Sequence, residues 1–322
     1  MILVTGGAGY IGSHTTKHLL NNGYKCLVFD NLSYGHIEAI DPRANFIQGD
    51  LMKPEDLDGL FKNYEIEAVI HFAAFTYVGE SVQNPQKYYL NNLVGTLNLL
   101  NSMLKHNVTK IVFSSTCATY GEPKYLPIDE EHPQNPINPY GTSKLMIEQI
   151  FADYKKAYDL KYIALRYFNA AGADKDGLIG ESHDPETHLI PLILKAIKGD
   201  LPDIKVFGTD YETPDGTCIR DYIHVEDLAN AHKLAFEQLD QYSGSLNLGT
   251  GKGTSVREIL TSAEKVTGKK CPIIYFNRRI GDPSTLLANN TKANEILGWS
   301  AKYTNIDDVI STAWKWELQK KF

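Results

Sequence analysis

The sequence predicts an α/β fold: a doubly wound parallel sheet with helices on both faces, followed by a smaller mixed α/β lobe. Three observations predict it. Short apolar runs rich in β-branched residues alternate with longer amphipathic windows through the first half of the 322-residue chain. Parallel strands need such crossovers and bury both faces, so their sequences read apolar throughout. A glycine-rich turn follows the first run directly. Beyond about residue 170 the alternation loosens into long polar loops, which in a folded protein are more often binding surfaces than linkers.

In chain order, the expected strands are MILVT, KCLVFD, NFIQGD, AVIHFAA, KIVFSST and YIALRYFN. Helical periodicity fills windows near 11–22, 54–63, 84–106 and 140–159. The last of these helices opens on Asn138, a residue able to accept an orphan backbone N–H, and on Pro139, whose missing donor costs nothing at the first helical position. GADKDGLIGESHDPETH and FGTDYETPDGT read as loops on either side of a helix at 189–198. A strand over 245–249 (SLNLG) and helices near 256–267 and 304–319 complete the smaller lobe. The expected domains are 1–170 and 171–322, with segments near 220–250 returning to the first.

Composition excludes several classes of function. The formal charge is -7, from 32 basic and 39 acidic residues, and no basic stripe is present to follow a nucleic-acid backbone. Cys26, Cys117, Cys218 and Cys271 lie far apart, so neither a zinc site nor a disulfide framework is expected and a reducing cytoplasm fits. The first residues run straight into a strand, and no apolar run reaches spanning length, so neither secretion nor membrane insertion is expected.

The turn TGGAGYIG places Gly6, Gly9 and Gly12 between the first strand and the first helix. Glycines there permit a tight turn and close backbone approach to a pyrophosphate, which the helix N-terminus also favours. Asp30 ends the second strand 18 residues after Gly12. Its carboxylate suits a ribose diol and would repel a 2′-phosphate, so the Rossmann-type half is expected to bind NAD rather than NADP. Asp50, ending the third strand, is a candidate contact to the adenine side.

Tyr140 and Lys144 stand one helical turn apart on one face. The fifth strand ends beside them in Ser114, Ser115 and Thr116, whose hydroxyls are expected to point into the crevice. A free phenol, with a pKa near 10, is a poor base at neutral pH. A positive charge about 4 Å away, at an effective dielectric of about 20, is worth roughly 4 kcal/mol, or about three pKa units. Lys144 is expected to supply it, with the oxidised nicotinamide adding a second charge. The pattern reads as alcohol oxidation by hydride transfer. Cys117 reads as a small buried hydrophobe, and His71 and His224 as satisfied core groups.

The blocks VTGGAGYIGSH, DNLSYG, VIHFAA, FSSTCATYGEP, NPYGTSK, RYFNAAGA, RDYIHVEDLA and NLGTGKGTSV resemble the extended short-chain dehydrogenase/reductases over nearly the whole chain. Dehydratases of that family carry Asp-Glu after the active-site threonine. Here Cys117-Ala118 stands there, without the acid and base that dehydration needs. The resemblance therefore implies C4 epimerisation of a UDP-hexose, between the glucose and galactose forms, through a transient 4-keto sugar. The N-acetylated pair, or another NAD-dependent nucleotide-sugar reaction such as one on UDP-glucuronate, is the alternative. A non-catalytic NAD sensor would ordinarily lack the Tyr and Lys pair.

By the same resemblance, the catalytic residues are Tyr140, Lys144 and Thr116. NAD would be held by Gly6, Gly9, Tyr10, Ile11 and Gly12, by Asp30, Asn31, Leu32, Ser33, Tyr34 and Gly35, and by Asp50 and Leu51. Phe72, Ala73, Ala74, Phe75 and Thr76 would join them, with Asn91, Ser114, Tyr140, Lys144 and Phe168. Asn169, Arg220 and Arg279 would hold the substrate pyrophosphate, with His188 and Leu189 along the nucleotide. The backbone of Lys205, Val206 and Phe207 would read uracil, and Asp282, Leu286, Thr116 and Tyr140 would complete the sugar side. No metal ligand is implied. Leu286 holds the place whose bulk sets room for an N-acetyl group, and the apolar faces of helices 84–106 and 140–159 imply a homodimer.

Overall fold

The computed structural model describes residues 1–279 and 281–322. The chain begins β1 (Ile2–Thr5), α1 (Tyr10–Asn21), β2 (Cys26–Asp30), β3 (Asn45–Gln48), α2 (Pro54–Asn63) and β4 (Ala68–His71). Next come α3 (Val78–Gln83), α4 (Pro85–Tyr88), a widened turn at Tyr89–Val94, α5 (Gly95–Lys105) and β5 (Lys110–Thr116). Then follow α6 (Pro139–Tyr158), β6 (Lys161–Tyr167), β7 (Asn169–Ala171), α7 (Leu189–Lys198), β8 (Ile204–Phe207), β9 (Ile219–His224) and α8 (Val225–Gln238). The chain ends with β10 (Gly244–Leu248), β11 (Gly253–Ser255), α9 (Val256–Thr267), β12 (Ile273–Phe276), β13 (Thr285–Leu286), α10 (Thr291–Leu297) and α11 (Ile306–Gln319).

Seven strands form the main sheet in the order β10-β6-β5-β4-β1-β2-β3, every pair parallel. From β1 the chain winds outward first through β2 and β3, then through β4, β5 and β6, so the strand order reverses between β1 and β4. Ligands of such sheets bind at that switch point, outside the carboxyl ends of the strands. One face packs β1, β4 and β6 against α1 and α8 with Trp299; the other packs β1, β2 and β5 against α2, α5 and α6. Each fully buried Leu, Ile or Val there contributes about 1.5–3 kcal/mol of transfer free energy.

The expected strands and helices of the first half occur nearly where periodicity places them. The window 84–106 is helical from 85 to 105 but carries the widened turn, where buried Asn92 accepts from Phe75 N at 2.8 Å and donates to Phe75 O at 3.0 Å. Such turns often reposition side chains at functional sites. One expectation is corrected: the strand at 245–249 does not complete the smaller lobe. As β10 it pairs with β6 at the edge of the main sheet, because the unpredicted helix α8 carries the chain back across. The smaller lobe is built on α7, α9, α11, β8 and β12, with Ile193, Ile259 and Ile310 fully buried at its centre. A separate small sheet joins β7, β11 and β13 to β9.

Candidate active site

The carboxyl edge of the main sheet opens on a cavity of about 390 Å³. The turn between β1 and α1 forms its floor. Gly6 has φ +71°, and a Cβ there would lie 2.5 Å from the backbone N of Ala73; one on Gly12 would lie 2.2 Å from the Gly6 carbonyl. Only glycine permits this approach of helix to strand, and it leaves the N-terminus of α1 facing the cavity. Asp30 closes the next wall. Its oxygens accept Ala8 N at 3.0 Å and Leu32 N at 2.8 Å, and burial moves its carboxyl above the ordinary value while these two bonds oppose the shift. A glycine cradle at a helix N-terminus, followed by a fixed carboxylate, fits a dinucleotide with free ribose hydroxyls.

The structure gathers Gly6, Gly9, Tyr10, Ile11 and Gly12 on this cavity with Asp30, Asn31, Ser33, Tyr34, Gly35, Asp50 and Leu51. Phe72, Ala73, Ala74, Phe75, Thr76, Asn91, Ser114 and Phe168 also line it. Leu32 does not; it sits at φ 59° with its N–H turned to Asp30. On the substrate side Thr116, Tyr140, Asn169, His188, Arg220 and Leu286 face the same space. Arg279 and Asp282 instead line a neighbouring cavity of about 410 Å³ with Arg278 and Tyr211. The Arg279 guanidinium stacks 4.0 Å from the Phe207 ring, and Asp282 pairs with Arg220, so the two cavities meet at that ion pair. Leu189 opens α7, and Lys205, Val206 and Phe207 form β8, outside both linings, with the Val206 side chain in the core.

The side chains at the end of β5 divide. Ser114 shares a short hydrogen bond with the Tyr167 hydroxyl, and Thr116 accepts Ala118 N at 3.1 Å; both line the cavity. Ser115 corrects the expectation of three hydroxyls in the crevice, because strand alternation turns it to the other face, where it donates to Glu148 at 2.5 Å. Glu148 also takes Arg166 Nη2 at 2.5 Å and Ser245 Oγ at 3.0 Å, a buried network tying α6 to β5, β6 and β10.

Asn138 caps α6 by accepting Gly141 N at 2.9 Å, and Pro139 holds its first position. That places Tyr140 at the cavity and Lys144 behind it, 1% exposed. The Lys144 ammonium donates to Ser114 O at 2.7 Å and lies 4.6 Å from the Phe113 ring centroid. Burial pushes Lys144 down to about 7, with Glu148 opposing. Burial also raises the Tyr140 phenol above its ordinary value; Tyr167 adds to this and the Thr116 hydroxyl opposes it. Burial is the largest influence on this phenol, and the Lys144 ammonium is turned toward the Ser114 carbonyl.

Cys117 lines the cavity, but burial lifts its thiol to about 12, which leaves no thiolate for nucleophilic work. His71 bonds Thr5 Oγ1 at 2.6 Å and Thr96 Oγ1 at 2.9 Å, and His224 bonds Thr312 Oγ1 at 2.9 Å, so both are satisfied core groups. Sequence reasoning missed Tyr167, Glu181 and His183 on the cavity wall. The RYFN block contained a signal for Tyr167; the other two lay in a stretch read only as a polar loop.

The model of the NAD dependent epimerase/dehydratase family matches residues 2–249. The chain is 53% identical over 320 residues to the UDP-glucose 4-epimerase of Halalkalibacterium halodurans, spanning 99% of this chain and 96% of that protein. It superposes with TM-score 0.95 on the UDP-glucose 4-epimerase of Brucella ovis in complex with NAD, at 53% identity and 97% coverage of each chain. The Bifidobacterium longum UDP-glucose 4-epimerase in complex with NAD⁺ and UDP matches with TM-score 0.94 and 42% identity, covering 99% of this chain and 98% of that one.

Proposed function

The chain belongs to the NAD dependent epimerase/dehydratase family, and from that membership we propose that it interconverts UDP-glucose and UDP-galactose, with Tyr140 moving the proton of the sugar's 4-hydroxyl. The carrying observation is that Tyr140 and Thr116 face the same cavity as the Gly6–Gly12 turn and Asp30. A C4–H bond with no adjacent carbonyl is not usefully acidic, so inversion requires oxidation to a ketone and reduction from the other face. NAD⁺, held by these residues, would supply the hydride acceptor and donor that this oxidation and reduction require.

The protein's own residues do the rest. The turn at Gly6, Gly9 and Gly12 and the helix N-terminus hold the dinucleotide diphosphate, and Asp30 holds the adenosine ribose. Thr116 hydrogen-bonds the sugar oxygen. Tyr140 becomes a competent base when the positive charge of the oxidised nicotinamide stands beside it, offsetting the burial that otherwise keeps the phenol protonated. Lys144, which donates to Ser114 O, would by resemblance hold the nicotinamide ribose. Arg220, steadied by Asp282, and Arg279 across the boundary between the cavities grip the UDP diphosphate. Asn169 and His188, on the cavity wall, would lie along the nucleotide, and by resemblance Leu189 and the backbone of Lys205 to Phe207, outside the lining, would complete the contact toward uracil. A firmly held nucleotide with a loosely held sugar lets the ketone show both faces.

The test is incubation of purified protein with UDP-galactose and no added cofactor. UDP-glucose should appear to equilibrium; none, from protein that carries NAD, would overturn the assignment. Half-buried Leu286 favours a second substrate pair. It is smaller than tyrosine, so UDP-GlcNAc and UDP-GalNAc should also interconvert, and Leu286→Tyr should abolish that reaction while sparing the first.

The same reading makes the protein a cytoplasmic homodimer serving galactose metabolism. Exposed Leu90 and Met146, before α5 and on α6, support a contact through these helices, and light scattering of the purified chain tests it. The free thiols support the compartment. Among the described residues, no helix is long and apolar enough to cross a membrane.

A further inference from the structure

Four side chains in the loop before α7 converge without forming the hydrogen bonds their spacing allows. Glu181 Oε1 lies 2.5 Å from His188 Nδ1 and 3.2 Å from His183 Nδ1. Glu186 approaches His188 Nδ1 to 3.3 Å and His183 Nδ1 to 3.7 Å. One ligand atom from each of the four residues fits within 4.8 Å of the others. The two carboxylate side chains are only 6% and 3% exposed, yet Glu181 Oε1, Glu186 Oε2 and His183 Nδ1 are buried with no hydrogen-bond partner. A buried carboxylate oxygen without a fully formed hydrogen bond is costly.

We propose that Glu181, His183, Glu186 and His188 bind one divalent transition-metal ion, with zinc the best match to the donor set. Two imidazole nitrogens and two carboxylate oxygens suit zinc, and ligand atoms about 2.0–2.1 Å from a tetrahedral ion lie about 3.3 Å from one another. Glu181 Oε1 to His183 Nδ1 at 3.2 Å and Glu186 Oε1 to His188 Nδ1 at 3.3 Å are close to that value, Glu181 Oε1 to His188 Nδ1 is compressed, and Glu186 reaches His183 Nδ1 with its other oxygen at 3.7 Å. Two carboxylates and one divalent ion are neutral together, which removes the charge that burial opposes.

The surroundings support four fixed ligands rather than an open catalytic position. Glu186 Oε1 accepts Thr187 N at 2.8 Å and His188 N at 2.9 Å, fixing that carboxylate. Trp316 Nε1 donates to Glu181 O at 2.9 Å, and Ser182 Oγ to Phe322 O at 3.0 Å, holding the loop to the smaller lobe. On the other side Tyr10, in the turn at α1, meets the His183 ring edge-on at 6.4 Å. The ion therefore pins the loop that walls the cavity against the phosphate turn. With Nδ1 on the metal, His188 keeps only Nε2 for the nucleotide. These four residues alternate through an irregular loop, without the spacing of a helix or a Cys-x-x-Cys turn, so the sequence alone carried no metal signal here.

The test uses the full untagged chain with its NAD, dialysed against metal-free buffer, with metal measured by plasma mass spectrometry before and after incubation with Zn²⁺. Wild-type protein should hold about one equivalent per chain, and Glu181→Gln at least about tenfold less. Co²⁺ in place of zinc should give the intense visible bands of a tetrahedral site. The rival is a pair of imidazolium rings neutralising the two carboxylates. It predicts background metal in wild-type protein after incubation and no cobalt bands, and either result overturns the proposal. Should Glu181→Gln fail to fold, the wild-type melting temperature decides: a chelator should lower it and zinc restore it, and no change refutes the site.

Discussion

Lys144 donates to the Ser114 carbonyl at 2.7 Å, so the lysine that the sequence pairs with Tyr140 is anchored to β5 instead. The two residues of this motif therefore fail differently when replaced. Tyr140→Phe removes only the proton carrier, and should retain NAD while kcat falls by about 10²–10⁴-fold, the usual contribution of a positioned acid–base group. Lys144→Met should lose NAD as well as rate. Absorbance of the retained cofactor, read beside UDP-galactose turnover, separates the two, and a Tyr140→Phe enzyme at parental rate would remove the phenol from the mechanism.

The network behind Lys144 makes a stability prediction. Arg166 gives Glu148 its Nη2 at 2.5 Å and its Nε at 3.0 Å, with both side chains 6% exposed. Breaking one side of a buried pair strands the other charge, at a cost of about 3–5 kcal/mol. Glu148→Gln should lower the urea midpoint accordingly, whereas Glu148→Leu with Arg166→Met should recover much of the loss. Equal losses in the single and double variants would show that the pair is not what holds α6 against β6.

The parallel core and the phosphate turn were legible because both rest on local signals. Apolar runs such as CLVF bury on two faces, and Gly6 and Gly12 stand where any Cβ would strike backbone. Tyr140 and Lys144 were legible as a spacing, but the direction of the Lys144 ammonium depends on the Ser114 carbonyl, thirty residues away in sequence. Strand alternation already turned Ser115 away from Ser114 and Thr116, a point the hydroxyl cluster obscured. Helix α8 and the partner of edge strand β10 escaped for a different reason, although the return of segments near 220–250 to the first domain was expected. The partners of β10 and α8 are β6 and α1, far back in the chain, and no periodicity announces which sheet a short apolar strand joins.

Gly12 tests the cradle directly. A Cβ at this position would lie 2.2 Å from the Gly6 carbonyl and 2.9 Å from Gly7 Cα, contacts that only a backbone shift can relieve. Gly12→Ala should therefore yield folded protein that has lost most of its NAD and its turnover together. Circular dichroism checks the fold and cofactor absorbance the occupancy; a fully loaded Gly12→Ala enzyme would contradict the role given to this turn.

Acid should unfold the protein through histidines buried in the neutral form. Burial pushes His14 and His232 down to about 4, and His71 and His224 down to about 3, from an ordinary 6.5. Between those values the unfolded chain binds protons that the folded chain does not, so stability rises with pH across the window. The stabilisation is present in full above pH 6.5 and is lost as pH falls toward 4 and 3. Each such group adds about 1.4 kcal/mol per pH unit to the slope within its window. His232 is the cleanest probe, because its Nδ1 pairs with the Leu228 carbonyl while its Nε2 has no partner. Urea unfolding at a series of pH values should show the wild-type midpoint dropping steeply below pH 6.5, and His232→Leu should flatten that drop by about one proton's worth. An unchanged slope would mean that His232 takes up its proton without unfolding, and that the apolar wall of Phe72 and Tyr167 around it admits water.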